Sequence, residues 1–398
     1  MKKLLFFGIS ALLLISCQSE KLNELNKVVA DVPEVSAQVI PGKYVVVYNS
    51  TGIKQAARIA TLTGNAVISP ENVIAMTKEV LASSSIDVRT PSMAYASALK
   101  GVAIDLTDAE AVLLAKSPAV KGVYPDMMVN FGLPVAVVTG KPSTPAPQSI
   151  PWGITRIGGS SDGTGKTAWI IDTGIDMNHP DLNVSQTLGK NFVTTGALPD
   201  DDNGHGTHCA GIVAALNNSQ GVIGVAAGAT VVPIKVLNRR GSGAYSAIIA
   251  GVDYVAANAK AGDAANMSLG GPIYTPLDDA IIAMAQKGIK VAIAAGNESQ
   301  NTNNVSPGHI NGTNIYTISA MGTGDLWASY SNFGNPPVDF CAPGSSIYST
   351  YKDGAYATLS GTSMATPHVC GLLLLGNIST NGYVKNDPDG NADPIAHK

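Results

Sequence analysis

The chain predicts an α/β protein, a mostly parallel sheet with helices on both faces, preceded by a small α+β unit. Three observations carry that expectation. From Trp152 onward, short apolar runs alternate with helical stretches, the pattern of parallel strands joined by helical crossovers. Charged residues make up only 14% of the 398, where about 25% is usual, as a sheet buried on both faces requires. Glycine is abundant, 42 of 398, which fits many tight turns and close backbone approaches. A hydrophobic content of 45% excludes a disordered chain. The net charge of −4 offers nucleic acid no general attraction, so no nucleic-acid partner is expected.

The N-terminus reads as an address. Met1-Lys2-Lys3 is a positive lead, and Leu4 to Ile15 is an apolar run too short to span a bilayer. Leu13-Leu14-Ile15-Ser16-Cys17 resembles a bacterial lipobox, which implies lipidation of Cys17 and a membrane-anchored, exported protein. Residues 1–16 are then a signal peptide and 17–39 a polar tether. Residues 40–131 form the first unit. Gly42 to Asn49 is β-branched and strand-like, Ile53 to Leu62 has helical spacing, and Ala94 to Leu99 alternates as a strand. Thr107-Asp108-Ala109-Glu110 opens a helix with a capping box, and Val120 to Phe131 is a further strand. Residues 132–150 read as a linker, the stretch from Pro134 to Pro151 holding five prolines.

The main unit is expected over 151–376. Its strands are Thr167 to Ile171, Thr230 to Val236, Lys290 to Ala295 and Ile315 to Ala320. Its helices are Gly206 to Ala215, Ser246 to Lys260, Leu277 to Lys287 and Thr362 to Leu375. Residues 377–398 read as a polar, disordered tail, although Asp387 to Asp393 is oxygen-rich and similar to short acidic calcium loops. Cys209, Cys341 and Cys370 are an odd number, so at least one thiol stays free.

Sites in parallel sheets form at the carboxyl ends of strands, and chemistry-bearing motifs stand there. Asp172 follows a strand in Ile171-Asp172-Thr173-Gly174; His205 lies in Asn203-Gly204-His205-Gly206-Thr207-His208; Ser363 lies in Ser360-Gly361-Thr362-Ser363-Met364-Ala365. Taken singly, an acid after a strand, a glycine-flanked histidine and a serine at a helix start are each ordinary structural features. Their order, Asp then His then Ser, is one of the known catalytic-triad orders. With Ala294-Ala295-Gly296-Asn297-Glu298 as a fourth block, the segment from Gln148 to about Leu375 resembles the subtilisin-like serine proteases.

That resemblance implies a serine endopeptidase acting on peptide or protein substrates. Ser363 is the nucleophile, His205 its base, Asp172 the orienting carboxylate, and Asn297 with the Ser363 N–H the oxyanion donors. It places substrate-binding edges at Gly241-Ser242-Gly243 and Ser268-Leu269-Gly270-Gly271, and Glu298 at the rim of the primary pocket. It also implies a structural Ca2+ ion, held by the carbonyls of Leu216, Gln220 and Val222 and by Asn218, Asp181 and Gln148. The first unit more loosely resembles the propeptide inhibitors of this family. An autoinhibited zymogen is therefore expected, its own propeptide a partner and its catalytic domain released from the lipid anchor on processing. An inactive, binding lipoprotein of the same fold is the alternative reading. Asp200-Asp201-Asp202 is read as an acidic turn, with a preference for basic substrates as the competing idea. Asp176, His208 and His368 are read as supporting or core residues.

Overall fold

One inner strand of the large sheet shows how the sequence builds the layers. The structure, a computed structural model, describes residues 35–65, 67–134, 137–140, 147–376 and 378–398; Cys17 and the expected signal lie outside them. In the strand Thr167–Asp172, Trp169 and Ile171 pack into one core cluster while Ala168 and Ile170 pack into the other. Side chains alternate across a strand, so an unbroken apolar run serves two cores at once. Truncating Ile170, fully buried, to alanine costs about 2–5 kcal/mol.

The elements used below follow chain order. The first unit comprises β1 (Ser36–Tyr48), α1 (Ser50–Leu62), α2 (Pro70–Ser83), β2 (Met93–Tyr95), β3 (Gly101–Asp105), α3 (Asp108–Leu114) and β4 (Val120–Asn130), and the linker carries β5 (Val137–Gly140). The main unit comprises β6 (Thr167–Asp172), α4 (His205–Ala214), β7 (Thr230–Lys235), β8 (Ser242–Ala244), α5 (Tyr245–Asn258), β9 (Ala264–Met267), α6 (Thr275–Ala285) and β10 (Lys290–Ala294). It continues through β11 (Ile315–Gly322), β12 (Val338–Pro343), β13 (Ile347–Tyr351), β14 (Ala355–Leu359), α7 (Thr362–Leu375), β15 (Ser379–Tyr383) and β16 (Pro394–His397).

The large sheet runs β15-β16-β12-β11-β10-β9-β6-β7. All neighbours from β16 to β7 are parallel. Helices α4 and α7 share a core on one face, and α5 and α6 share the core on the other. The fold is the α/β, mostly parallel architecture that the sequence predicts.

The first unit is a small antiparallel sheet in the order β4-β1-β3-β2, with α1 and α2 packed on one face over a core of its own. Thr107 and Glu110 form the expected capping box at α3. Its other face merges with the α5–α6 core through Val45, Val47, Tyr95, Val129 and Phe131. The sheet is extended by β8, a strand of the main unit, paired antiparallel to β4. Two polar anchors accompany that pairing. Asp253 on α5 accepts the N–H groups of Ala96, Ser97, Ala98 and Leu99, so the strand expected over 94–99 ends at Tyr95. Asp126 accepts the N–H and hydroxyl of Ser246 at the start of α5.

Two segments differ from expectation. The linker is not wholly irregular: β5 pairs antiparallel with β14. Residues 378–398 are not a disordered tail, because β15 and β16 form a hairpin and Ile395 pairs with Cys341 of β12. Val384, Ile395 and Ala396 are buried there, and Arg156 donates to Asp325 and to the Asn381 carbonyl, tying the hairpin down. Asp393, inside the acidic stretch, is buried and accepts from Ser319 and Asn335. Three apolar residues in a polar stretch give little periodicity, and the sheet edge supplies what the sequence lacks. Cys209, Cys341 and Cys370 are all free and buried.

Candidate active site

Strand β6 delivers Asp172 to the floor of the site, and α4 begins at His205. Bringing them together requires glycine: a Cβ at Gly206 would stand 2.1 Å from the Gly174 carbonyl oxygen and 3.2 Å from Asp172 Cβ. Gly204, which starts the helix, has φ 115°, a left-handed conformation that favours glycine. His205 Nδ1 lies 2.8 and 2.9 Å from the two Asp172 carboxylate oxygens, and both residues are buried. The Thr173 N–H donates to the same carboxylate at 2.7 Å. A carboxylate accepts only, so Nδ1 carries the proton and the lone pair is left on Nε2. His205 Nε2 is buried and has no hydrogen-bond partner among the described residues.

Asp201 fixes the loop before His205. Its carboxylate accepts from Thr173 Oγ1, from the N–H groups of Asn203 and Gly204, and from the N–H and hydroxyl of Thr207. Asp200 accepts the Met177 N–H, and Asp202 pairs with the buried Lys235, which also donates to the Thr173 carbonyl. The acidic triplet is therefore bound up in holding the loop, which favours the turn over the recognition of basic substrates.

Ser363 stands in the first turn of α7, where backbone N–H groups have no intrahelical partners. Its hydroxyl donates to the Ser268 carbonyl at 3.3 Å, and its own carbonyl accepts from Ser268 Oγ and Cys209 Sγ. Asn297 follows β10. Its Oδ1 accepts the N–H and hydroxyl of Thr362 at 2.8 and 3.0 Å, which commits the oxygen and leaves Nδ2 as the outward donor. Four sequence blocks separated by up to 191 residues thus converge on one centre.

The residues flanking these motifs are engaged in hydrogen bonds of their own. His208 Nε2 donates to the carbonyls of Ile347 and Ala357, and burial lowers its pKa to about 3. His368 Nδ1 donates to the Met364 carbonyl, and burial lowers its pKa to about 4. Both are neutral at physiological pH. Asp176 accepts the N–H groups of Asn178 and Gly354. Glu298 accepts from Asn332 Nδ2 at 2.6 Å.

The two proposed substrate edges behave differently. Gly241, Ser242 and Gly243 already carry a strand, β4 of the first unit, with Ser242 opposite Asn130 and Gly243 opposite Val129. On the second edge, Ser268 and Leu269 are buried, and Gly271 exchanges both backbone hydrogen bonds with Ser306. Gly271 is therefore occupied on this edge, and the Ser268 carbonyl accepts the Ser363 hydroxyl, a restriction the sequence does not announce.

The residues expected around an ion also converge. Gln148 Nε2 donates to the carbonyls of Leu216 and Val222 at 2.8 and 3.2 Å. Asn218 Nδ2 and the Val222 N–H donate to Asp181, and the Gln220 N–H donates to Asn218 Oδ1. Burial pushes the Asp181 carboxyl up to about 6. Two carbonyls and a buried carboxylate are hard oxygen donors in one place, and with the two amides turned to present their oxygens the set would fit Ca2+.

Comparison with known proteins shows the family. The Subtilase family profile matches residues 163–377. The chain is 33% identical over 353 residues to an extracellular serine proteinase of Thermus sp. (strain Rt41A), covering 85% of this chain and 80% of that one. It is 34% identical to proteinase R of Parengyodontium album, covering 76% of this chain and 78% of the relative. The crystal structure of a cold adapted subtilisin-like serine proteinase superposes with a TM-score of 0.54 at 36% identity, covering 62% of this chain and 97% of that one. By sequence and by fold, the chain belongs to the subtilase family and is a serine-type endopeptidase.

Proposed function

We propose that the protein hydrolyses peptide bonds outside the cytoplasm through Asp172, His205 and Ser363, and that it is made as an autoinhibited zymogen. The observation that carries the reading is the His205–Asp172 pair, with Nδ1 held by the carboxylate and Nε2 left as a buried lone pair beside the helix that bears Ser363. In the reaction Ser363 Oγ attacks the substrate carbonyl while His205 Nε2 takes its proton. The carbonyl oxygen, now an oxyanion, receives hydrogen bonds from Asn297 Nδ2 and the Ser363 N–H. His205 then gives its proton to the leaving amine, and water repeats the sequence on the acyl-enzyme. Asp172 holds the ring and stabilises the imidazolium. For the attack the Ser363 hydroxyl must leave the Ser268 carbonyl and turn to His205 Nε2.

The same reading assigns the first unit as the inhibitor, since β4 fills the Gly241–Gly243 edge. It assigns Cys17 as the lipid anchor of an exported chain, the extracellular relative supporting the export alone, and Ca2+ to Gln148, Asp181, Leu216, Asn218, Gln220 and Val222. An ion there would compensate the Asp181 charge and clamp the 216–222 loop to the segment after the linker. A fluorophosphonate probe tests the chemistry: an activated Ser363 is labelled, whereas a binding lipoprotein with an inert serine is not.

A further inference from the structure

The first unit leaves the groove by a path that departs from a substrate's in three ways. The first is its ladder. Phe131 N–H donates to the Gly241 carbonyl at 3.2 Å, continuing the β4–β8 pairing. Among the described residues, no backbone hydrogen bond joins 128–134 to the Ser268–Gly271 edge, and the Ser268 carbonyl is taken by the Ser363 hydroxyl. The chain is held along one edge only. The second departure is at Gly132, whose φ of 53° turns the strand out of extended geometry. Beyond it, Leu133 folds onto the enzyme, since a Cβ at Gly241 would meet Leu133 Cδ1 at 2.7 Å. The third is the residue that reaches the catalytic centre. Around Gly361, Pro134 Cγ lies 3.0 Å from the position a Cβ would take, and the Asn297 amide oxygen and nitrogen lie 3.6 and 3.7 Å from the same point.

We propose that Gly132 and Pro134 form a brake that makes the Leu133–Pro134 bond resistant to the protein's own triad. The proposal rests on the inhibitory reading of the first unit and goes beyond it, by naming what keeps an occupied groove uncut. Hydrolysis needs an extended chain with its carbonyl presented to Ser363 and a leaving nitrogen within reach of His205. Proline ties that nitrogen into a ring, puts Cδ where the N–H would be, and fixes φ near about −65°. It also restricts the residue before it. The left-handed Gly132 removes the strand geometry that would otherwise deliver the Leu133 carbonyl. Either feature slows the cut, and the two occur within three residues of each other.

The test uses the full chain, followed by intact mass over time, as wild type, Pro134→Ala and Gly132→Ala. Each has a Ser363→Ala counterpart, whose thermal unfolding checks that the fold is kept. In Pro134→Ala the 133–134 bond is expected to open, with water supplying the hydroxyl of the Leu133 carboxylate and a proton of the new amine. A fragment ending at Leu133 should then appear, and the precursor should disappear at least about tenfold faster than wild type. Gly132→Ala should also lose its precursor faster. The Ser363→Ala forms should stay intact. A wild-type fragment ending at Leu133 overturns the brake, as does an unchanged cleavage site and rate in both variants. The inhibitory reading fails on a different readout, when the intact precursor hydrolyses an added peptide as fast as the processed protein.

Discussion

The two halves of the catalytic centre are held in different ways. The acid–base half is fixed: His205 has two short contacts to Asp172, and the loop before it is gripped by five hydrogen bonds to Asp201. The nucleophile half is poised instead. Ser363 makes one long hydrogen bond to a backbone carbonyl, and Asn297 is anchored by its oxygen with its nitrogen left to donate. A base works only in one tautomer and orientation, so rigidity there lowers the barrier directly. A nucleophile must move from hydroxyl to acyl carrier, so it is tethered through its backbone and not its Oγ. The chain leaving the first unit approaches the poised half, where Pro134 lies beside Gly361 and Asn297.

Substitutions should separate the halves by size of effect. The largest loss is expected for Ser363→Ala, on the order of 10⁶ in kcat, the loss known for the nucleophile of the related subtilisin; both peptide hydrolysis and self-processing should vanish. Asp172→Asn should leave the fold intact but reverse the tautomer, costing about 10⁴ in kcat. An Asp172→Asn enzyme with near-normal kcat would contradict the fixed-half description. Asn297→Ala removes one oxyanion donor and should lower kcat about 10²–10³-fold with little change in KM, again by the precedent of subtilisin. A change in KM alone would place Asn297 in ground-state binding.

Smaller effects bear on stability. Chelating Ca2+ should lower Tm if the proposed ion is bound, because it would offset the buried Asp181 charge; an unchanged Tm would remove the ion from this site. The buried histidines give the acid limb. His208 and His368 have folded pKa values lowered to about 3 and about 4, below the usual value near 6.5. Their unfolded forms take up protons first, so the stability they contribute is complete above about pH 6.5 and is lost as pH falls toward their folded values. His368→Gln should therefore flatten the stability profile between about pH 6.5 and 4, measurable by urea titration at several pH values. A profile as steep as that of the wild type would assign the acid limb to other groups.

Much of this was legible in the sequence because it is local or strongly patterned. The runs around Ile170, Ile234 and Ile293 are buried on both faces and show no polar side; Asp172 and Asn297 sit at the ends of two of them, and His205 and Ser363 in short glycine-bearing blocks at helix starts. What was not legible depends on partners far along the chain. The 378–398 hairpin exists because Ile395 finds Cys341 at the sheet edge, and no period in a polar stretch reports that. The Val137–Gly140 strand borrows its hydrogen bonds from β14. Gly271 reads as a free substrate edge until Ser306 is seen to occupy it. Asp201 looks like one of three surface acids, although it is buried and organises the histidine loop. Spacing identifies the reacting groups, but tertiary pairing decides which of their neighbours are free.

The central claim is an activated serine screened by the chain's own first unit, and the rate of fluorophosphonate labelling at Ser363 measures both parts. Labelling should be slow in the intact precursor, fast once the first unit has been cleaved and removed, and absent in Ser363→Ala. Equal labelling before and after removal would contradict the screening, and no labelling in either form would contradict the activation itself.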